Sequence, residues 1–277
     1  MIDNNKYNIV SSKYKEISVH LLITFFLFFI TNSLQAAAPV YFKTIPKSAI
    51  QLFINTTDDV FLLRKGMLER YNPDGTFFQN YGSIYINEHT DIISVNGFKT
   101  ILFSPDFGKI IQLDNRLREL DIIDAYNLGT YIITCVGVSY DNLWIWDANA
   151  QQLVKLDKDK LPVFTSNTLS MVLGMKINPS QIVEAGIKLY IVDLKNGIFV
   201  FDNQGNFIKQ IPIENGKDLK VIDNQLFYTK DGVIYSYDNL TFTETRYSQT
   251  PDLKDIQVGK RIICGTDKEN FVELWKY

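Results

Sequence analysis

The chain has 277 residues, of which 46% are hydrophobic and 21% charged, and its formal net charge is −3. This is the composition of an ordinary globular protein, and the weak negative charge argues against nucleic acid as a partner. The length allows one large domain or two small ones, and the many tyrosine, phenylalanine, isoleucine and valine residues favour strands.

Residues 1–36 have the pattern of a secretory signal peptide. Three lysines precede an unbroken apolar run, LLITFFLFFI at 21–30, and small residues follow it. The cut fits after Ala36 or Ala38, although Pro39 disfavours a cut directly before it. The alternative is an uncleaved membrane anchor, which the shortness of the run disfavours because a span needs about 20 apolar residues.

The sequence therefore predicts a leader at 1–36 and a single folded domain at 37–277, located in the periplasm or secreted. The leader holds three lysines and two acidic residues, so the folded domain carries 25 basic and 29 acidic residues. No membrane span is expected once the leader is removed.

A short pattern recurs along the domain: a large apolar residue, then Asp or Asn, then one to three turn-forming residues. The clearest copy is FVFDNQGNF at 199–207. Asp and Asn side chains accept hydrogen bonds from backbone N–H groups two residues on, and glycine adopts positive φ freely. The apolar anchors are Tyr71, Leu113, Trp146, Phe201, Tyr237 and Leu274. Their mean spacing, about 41 residues, is typical of a propeller blade.

We therefore predict an all-β, six-bladed β-propeller of four-stranded antiparallel blades. An unrelated β-sandwich is the alternative, but it has no reason to repeat this turn six times. The strand at Val40–Ile45 has no nearby hairpin partner, and the last unit lacks an outer strand. The N-terminal strand is thus expected to complete the C-terminal blade and close the ring. The predicted blades cover 49–81, 92–122, 123–156, 181–213, 219–247 and 256 onward.

One interval is longer than the rest, with 55 residues between Trp146 and Phe201. The excess falls at about 157–180. A connection between blades lies on the same face as the loops that join each blade's second and third strands, and we call this face the loop face. An insertion here would lie over the channel mouth and carry Met171 and Met175, which suit adaptable contacts. A longer inner strand with an ordinary connection is the alternative.

Catalytic and metal-binding patterns are sparse. Only His89 remains after the leader, and it lies in a polar connection, where a surface histidine is expected. We predict no catalytic residue, no metal site and no cofactor, since triads and zinc sites need more histidines or cysteines. Calcium is harder to exclude, because acids fall at or near turns without the spacing of a calcium loop. These acids are Asp58, Asp59, Asp106, Asp141, Asp193, Asp231 and Asp267.

Two other pairs of residues have structural interpretations. Cys135 and Cys264 fall at nearly the same position in the third and sixth units, across the ring from one another, so we predict two free, buried thiols. Trp144 and Trp146 share one face of a strand, which suits either a stacking platform for a sugar or peptide or packing between blades. Packing is the favoured interpretation.

The repeat resembles those of six-bladed propellers of the NHL, YWTD and TolB-like kind, over about residues 40–277. The exported chain, rich in Asn, Ile and Tyr, is also similar to periplasmic propellers of Bacteroidetes-type bacteria. The YWTD signature itself is absent. Related six-bladed folds include calcium-dependent lactonases and quinone-dependent sugar dehydrogenases, but their acidic and histidine ligands have no counterparts here. The resemblance therefore implies an architecture and no site residue.

These observations predict a non-enzymatic binding or scaffolding protein that holds a protein partner in the cell envelope, with its oligomeric state left open. The residues predicted to bind the partner from the loop face are Arg64, Lys65, Phe107, Tyr140, Lys195, Lys230, Phe164, Met171 and Met175. The alternative is a carboxylate-dependent hydrolase or lyase, with or without calcium, that acts on a sugar or lactone in the central channel. It requires several acids that converge on the channel.

Overall fold

The computed structural model describes residues 38–276 except 96, 130, 140, 141 and 248–250. The described residues form 24 strands in six antiparallel sheets of four strands each. The predicted leader at 1–36 lies outside the described residues and stays a prediction. Residues 39–277 form one compact unit.

Each sheet is one blade, and its strands follow one another from the innermost to the outermost. Blade one contains β2 (Gln51–Ile54), β3 (Val60–Arg64), β4 (Met67–Tyr71) and β5 (Phe77–Gly82). Blade two contains β6 (Asp91–Val95), β7 (Lys99–Ser104), β8 (Lys109–Asp114) and β9 (Glu119–Asp124). Blade three contains β10 (Ile133–Ser139), β11 (Asn142–Asp147), β12 (Gln152–Leu156) and β13 (Pro162–Thr165). Blade four contains β14 (Pro179–Ala185), β15 (Lys188–Asp193), β16 (Gly197–Asp202) and β17 (Phe207–Ile211). Blade five contains β18 (Lys217–Ile222), β19 (Gln225–Lys230), β20 (Val233–Asp238) and β21 (Glu244–Arg246). Blade six contains β22 (Lys254–Val258), β23 (Ile262–Thr266), β24 (Val272–Lys276) and, as its outer strand, β1 (Val40–Ile45).

The pairing of β1 with β24 closes the ring, as predicted. The two strands are antiparallel, with Val40 opposite Lys276 and Ile45 opposite Val272. This pairing covers the edge of β24, which would otherwise present free backbone N–H and C=O groups. The last blade is therefore built from both ends of the domain.

Six apolar cores lie between neighbouring blades, and the strand pattern explains them. Alternating side chains of a strand point to opposite faces of its sheet, so each blade offers one apolar face to each neighbour. The core between blades six and one joins Ile45, Leu62 and Leu274, all at most 3% exposed. A corresponding core lies at each of the other five interfaces. The all-β six-bladed propeller is thereby confirmed.

The blade boundaries agree with prediction except at blade three. Trp146 lies on β11, the second strand, whereas the other anchors lie on third strands. The equivalent anchor is Leu156 on β12, which lies 43 residues after Leu113 and 45 before Phe201. The 55-residue interval therefore resulted from choosing Trp146 as the anchor of this blade. Asp157, which follows Leu156, accepts backbone N–H groups two and four residues on, as Asp202 does in blade four. Blade three thus starts at Ile133 instead of Ile123.

The segment at 157–180, predicted as an insertion, is mostly regular structure. It contains the outer strand β13 and a 13-residue connection to β14 that includes a short helix, α1 (Leu169–Leu173). Among the connections between blades that the structure describes in full, this is still the longest. No helix in the described part of the chain is long and apolar enough to cross a membrane.

Cys135 and Cys264 are both free and buried, as predicted. Their strand positions differ from the prediction, since Cys135 lies on the first strand of blade three and Cys264 on the second strand of blade six. The misassigned anchor in blade three explains this error. Burial raises the pKa of both thiols well above its ordinary value.

Candidate binding face and central channel

The structure places most of the predicted binding residues on the loop face. Those at or beside the loops between second and third strands are Arg64, Lys65, Phe107, Lys195 and Lys230. Met171 and Met175 lie in the connection between blades three and four, also on this face. Tyr140 lies outside the described residues.

Arg64 is engaged within its own blade. Its Nη1 lies 3.2 Å from Glu69 Oε1, and Lys47 Nζ lies 3.0 Å from the same atom. The Tyr71 hydroxyl donates to Glu69 Oε2 at 2.7 Å. Burial works to raise the pKa of Glu69, but the hydrogen bonds from Tyr71, Lys47 and Arg64 outweigh it and hold the pKa below its ordinary value. Arg64 is therefore less available to a partner than Lys65 and Lys195, which are exposed.

An aromatic cluster, formed by Tyr85, Phe107 and Tyr126, stands on the loop face at blade two. The rings of Tyr85 and Phe107 meet edge to face at 5.9 Å. Tyr126, 71% exposed, packs on Gly108, where any Cβ would overlap its ring. Gly108 adopts φ 58°, which ends the short 3-10 helix at 105–107 and holds Phe107 outward. Phe107 was among the binding residues predicted from the sequence, but Tyr85 and Tyr126 were not. The only feature that could have indicated the two tyrosines is that each is an aromatic residue within a polar connection.

Two ion pairs border this cluster. Lys109 Nζ lies 2.7 Å from Asp124 Oδ2 and 5.6 Å from the centre of the Tyr85 ring. His89 Nδ1 lies 2.7 Å from Asp106 Oδ2, and this hydrogen bond raises the pKa of His89 above its ordinary value. His89 is largely exposed, and no hydroxyl or thiol of the described residues bonds to it, so it is a surface histidine, as predicted.

The connection between blades three and four presents a second apolar surface. α1 buries Leu169 and packs Leu173 against the core between these blades, while Met171 is 84% exposed and Val172 47% exposed. Phe164 lies on the outer strand β13 instead. Its ring packs edge to face on Trp144 at 5.9 Å and against Gly205 of blade four. Phe164 therefore belongs to the contact between blades and is not brought together with the two methionines.

Trp144 and Trp146 lie in the core between blades three and four, and both are fully buried. Trp144 Nε1 donates to Glu184 Oε2, and Lys155 Nζ lies 4.8 Å from the Trp144 ring centre. Trp146 Nε1 has no hydrogen-bond partner. The packing interpretation of this pair is confirmed.

A cavity of about 540 Å³ occupies the central channel. The innermost strands of blades one to five line it, with Leu52, Ile92, Val136 and Ile182 among its apolar residues. Its charged residues are Asp91, Glu184, Lys217, Asp218 and Lys220. Sequence reasoning assigned none of these, because a channel residue is identified only when the register of the innermost strands is known.

Asp91 and Lys220 are the most strongly perturbed of these groups. Burial raises the pKa of Asp91 from 3.8 to about 6. Burial lowers the pKa of Lys220 to about 8, and the nearby Asp218 offsets only part of this. Both shifts mean that the folded protein disfavours the charged form of each side chain.

We expect Asp91→Asn to stabilise the protein at neutral pH and to change its pH dependence. Between about pH 4 and pH 6 folded Asp91 keeps a proton that the unfolded chain releases, so this group lowers the free energy of unfolding as the pH rises. A shift of about two units corresponds to about 3 kcal/mol at pH 7. Urea unfolding at pH 4.0 and 7.5 measures the gain in unfolding free energy of Asp91→Asn, with Asp231→Asn at an exposed turn as the control. An equal gain in unfolding free energy at both pH values would contradict a raised pKa of Asp91 in the folded protein.

Most of the acids predicted at turns have structural partners. Asp58 Oδ2 lies 2.8 Å from Arg261 Nε, and Asp59 Oδ2 lies 2.8 Å from Arg70 Nη2. Asp193 accepts the N–H groups of residues 195 and 196, and Asp267 those of residues 269 and 271. Asp106 pairs with His89, Asp231 occupies a left-handed turn at φ 51°, and Asp141 lies outside the described residues. Among the described residues, no three His, Cys, Asp or Glu side chains are grouped closely enough to hold a metal ion.

Comparison with known proteins supports the architecture. No protein-family model matches the chain, and no curated protein is similar to it in sequence. Among solved structures, it is similar to BamB from Moraxella catarrhalis, with a TM-score of 0.51 and 10% identity over 86% of this chain and 100% of that one. It is also similar to a streptogramin B lyase, with a TM-score of 0.53 and 13% identity over 86% of each chain. A chain of a mitotic checkpoint complex gives a TM-score of 0.52 and 10% identity over 86% of this chain and 92% of that one. At such low identity these similarities establish the fold alone, and the protein is a six-bladed β-propeller.

Proposed function

We propose that this propeller is an exported, non-enzymatic binding protein of the cell envelope that holds a protein partner on its loop face. The observation that carries the proposal is the aromatic cluster of Tyr85, Phe107 and Tyr126, bordered by the Lys109–Asp124 and His89–Asp106 ion pairs. Exposed aromatic residues inside a polar rim are typical of the energetic centre of a protein–protein interface.

The distribution of exposed apolar side chains supports the choice of face. The large apolar residues at least 36% exposed on the loop face are Ile50, Ile84, Phe107, Tyr126, Ile132, Met171, Val172 and Met175. Among the described residues, the loops of the opposite face hold fewer of them: Phe98, Leu161, Ile187, Leu240 and Phe242. Exposed apolar surface of this kind marks interaction sites. The loop face is therefore the favoured docking surface, with the methionines of the 166–178 connection at its edge.

The proposed occupant is a protein segment with apolar anchor residues. Its anchors would pack on the three rings, and its charged groups would meet the two bordering ion pairs. The same architecture occurs in BamB from Moraxella catarrhalis and in a chain of a mitotic checkpoint complex, and these similarities suggest a class of protein but supply no residue. The export part of the proposal depends on the leader at 1–36.

Site-specific photo-crosslinking tests this proposal. A photoreactive phenylalanine analogue replaces Tyr126 in one variant and Phe98, on the opposite face, in a second variant. Cell fractionation first establishes whether the full chain leaves the cytoplasm. We expect one saturable crosslinked protein from position 126 and none from position 98. Equal crosslinking from both positions, or a chain retained in the cytoplasm, would contradict the proposal.

A further inference from the structure

The central cavity contains two charges of opposite sign that form no ion pair with the described residues. Lys220 is 6% exposed, and none of the described carboxylates lies within 4.0 Å of its Nζ. Its Nζ lies 3.7 Å from the centre of the Phe53 ring. The Asp91 carboxylate receives no hydrogen bond and no ion pair from the described residues. Burying either charge without compensation costs free energy, so a folded chain keeps such groups at the expense of stability.

The positions of these charges in the ring are complementary. Asp91 lies on the innermost strand of blade two and Lys220 on that of blade five, and these blades are opposite in a ring of six. Asp91 begins β6 and so lies at the loop-face end of the channel, whereas Lys220 is the fourth residue of β18 and lies deeper. A molecule along the cavity could therefore reach one charge with each of its ends.

The wall near Asp91 adds a second acceptor. Gln51 begins β2 in the neighbouring blade, so it lies at the same end of the channel, and it lines the cavity. Its Oε1 is buried and has no hydrogen-bond partner. A carboxylate and an unpaired amide oxygen together suit an ammonium group, which offers three N–H donors and no acceptor.

We propose that the central cavity binds a small zwitterion of the amino acid or short peptide class, with its carboxylate on Lys220 and its ammonium group on Asp91 and Gln51. Between these ends, Leu52, Ile92, Val136 and Ile182 provide an apolar wall for the body of the ligand. The volume of about 540 Å³ lies within the range of small-molecule sites. This site shares no residue with the aromatic cluster on the loop face, so an experiment can refute one of the two proposals without refuting the other.

The other titratable groups near these charges are accounted for. Glu184 Oε2 lies 3.6 Å from Lys155 Nζ and accepts a hydrogen bond from Trp144. Asp218 accepts a hydrogen bond from Thr229 at 3.2 Å, and Lys217 is exposed. The thiols of Cys264, near Lys220, and Cys135, near Asp91, stay protonated because burial raises the pKa of both. Ligand binding should therefore be strongest near pH 7, between the pKa of Asp91 at about 6 and that of Lys220 at about 8.

A series of unbranched ω-amino acids of increasing length varies the distance between the ammonium and carboxylate groups and so tests the spacing of Asp91 and Lys220. Isothermal titration calorimetry at pH 7 measures each length against the n-alkyl amine and the n-alkyl carboxylate of the same length. We expect saturable binding of the zwitterion at a preferred length, at least about tenfold tighter than either monofunctional probe. Absence of saturable binding at every length, or equal affinity for the matched carboxylate, would overturn the proposal.

Two variants test the roles of the individual residues. Lys220→Met should lose about tenfold or more in zwitterion affinity while its thermal midpoint rises, since an unpaired buried charge is replaced by an apolar side chain of similar size. Asp91→Asn should lose zwitterion affinity to a similar extent and should no longer bind the n-alkyl amine. Lys268→Met, at an exposed turn of blade six outside the cavity, is the control and should bind as the wild type does. Undiminished affinity in folded Lys220→Met would show that the cavity does not use this ammonium group.

Discussion

Removal of β1 is expected to lower the free energy of unfolding by more than about 5 kcal/mol, which is comparable to the whole stability of many domains. A chain that begins at Pro46 loses the pairing of β1 with β24 and the burial of Ile45. It also exposes the edge of β24 to pairing with another chain. We therefore expect a lower midpoint in urea and concentration-dependent association.

The matched control begins at Ala38 and retains β1. It lacks only residues that precede the described strands, so its urea midpoint should be independent of protein concentration and well above that of the shorter chain. Analytical ultracentrifugation of both chains at two concentrations separates unfolding from association. A shorter chain that is monomeric with an unchanged midpoint would refute the closure of the ring by β1.

Trp146→Ala is expected to cost about 3–5 kcal/mol of unfolding free energy, because it opens a cavity in the core between blades three and four. Trp146 is fully buried and packs with residues of both blades. Trp146→Phe is the informative comparison, because it keeps most of the volume and removes the Nε1 group, which has no hydrogen-bond partner.

The two substitutions should therefore differ by at least about 2 kcal/mol in unfolding free energy. Urea unfolding of both variants measures the difference. A small, equal cost for the two variants would mean that Trp146 does not pack tightly between the blades.

The turn chemistry made the architecture predictable and also caused the main error. Asp157 and Asp202 mark turns between third and fourth strands by accepting N–H groups two and four residues on. Asp147 and Asp193 mark turns between second and third strands and accept N–H groups two and three residues on. Both kinds of turn place an Asp after a large apolar residue, so the sequence pattern does not distinguish them. This is why Trp146 was assigned to the third strand instead of the second and an insertion was predicted after it.

The candidate sites were less predictable than the fold because they depend on distant parts of the chain. Asp91 and Lys220 have two blades between them along the chain, and only the closed ring sets them across one channel. The available signal was a charged residue within a strand that is innermost in its blade, as in KDLKVI at 217–222. Phe107 was predictable from its loop, whereas Tyr85 and Tyr126 come from two different connections, and only the fold brings Tyr85 onto Phe107 and Tyr126 onto the adjacent Gly108.

The most direct test of the proposed function is the equilibrium affinity of the crosslinked partner, once purified, for the wild type and for two single variants. Phe107→Ala removes one ring of the aromatic cluster, and Phe98→Ala removes an exposed ring from the opposite face. Because each ring is partly exposed, both variants should keep the unfolding free energy of the wild type within about 1 kcal/mol. We predict that Phe107→Ala weakens binding at least about tenfold, or about 1.4 kcal/mol, and that Phe98→Ala leaves it unchanged. Unchanged affinity in Phe107→Ala, or an equal loss in both variants, would contradict a partner site centred on this cluster.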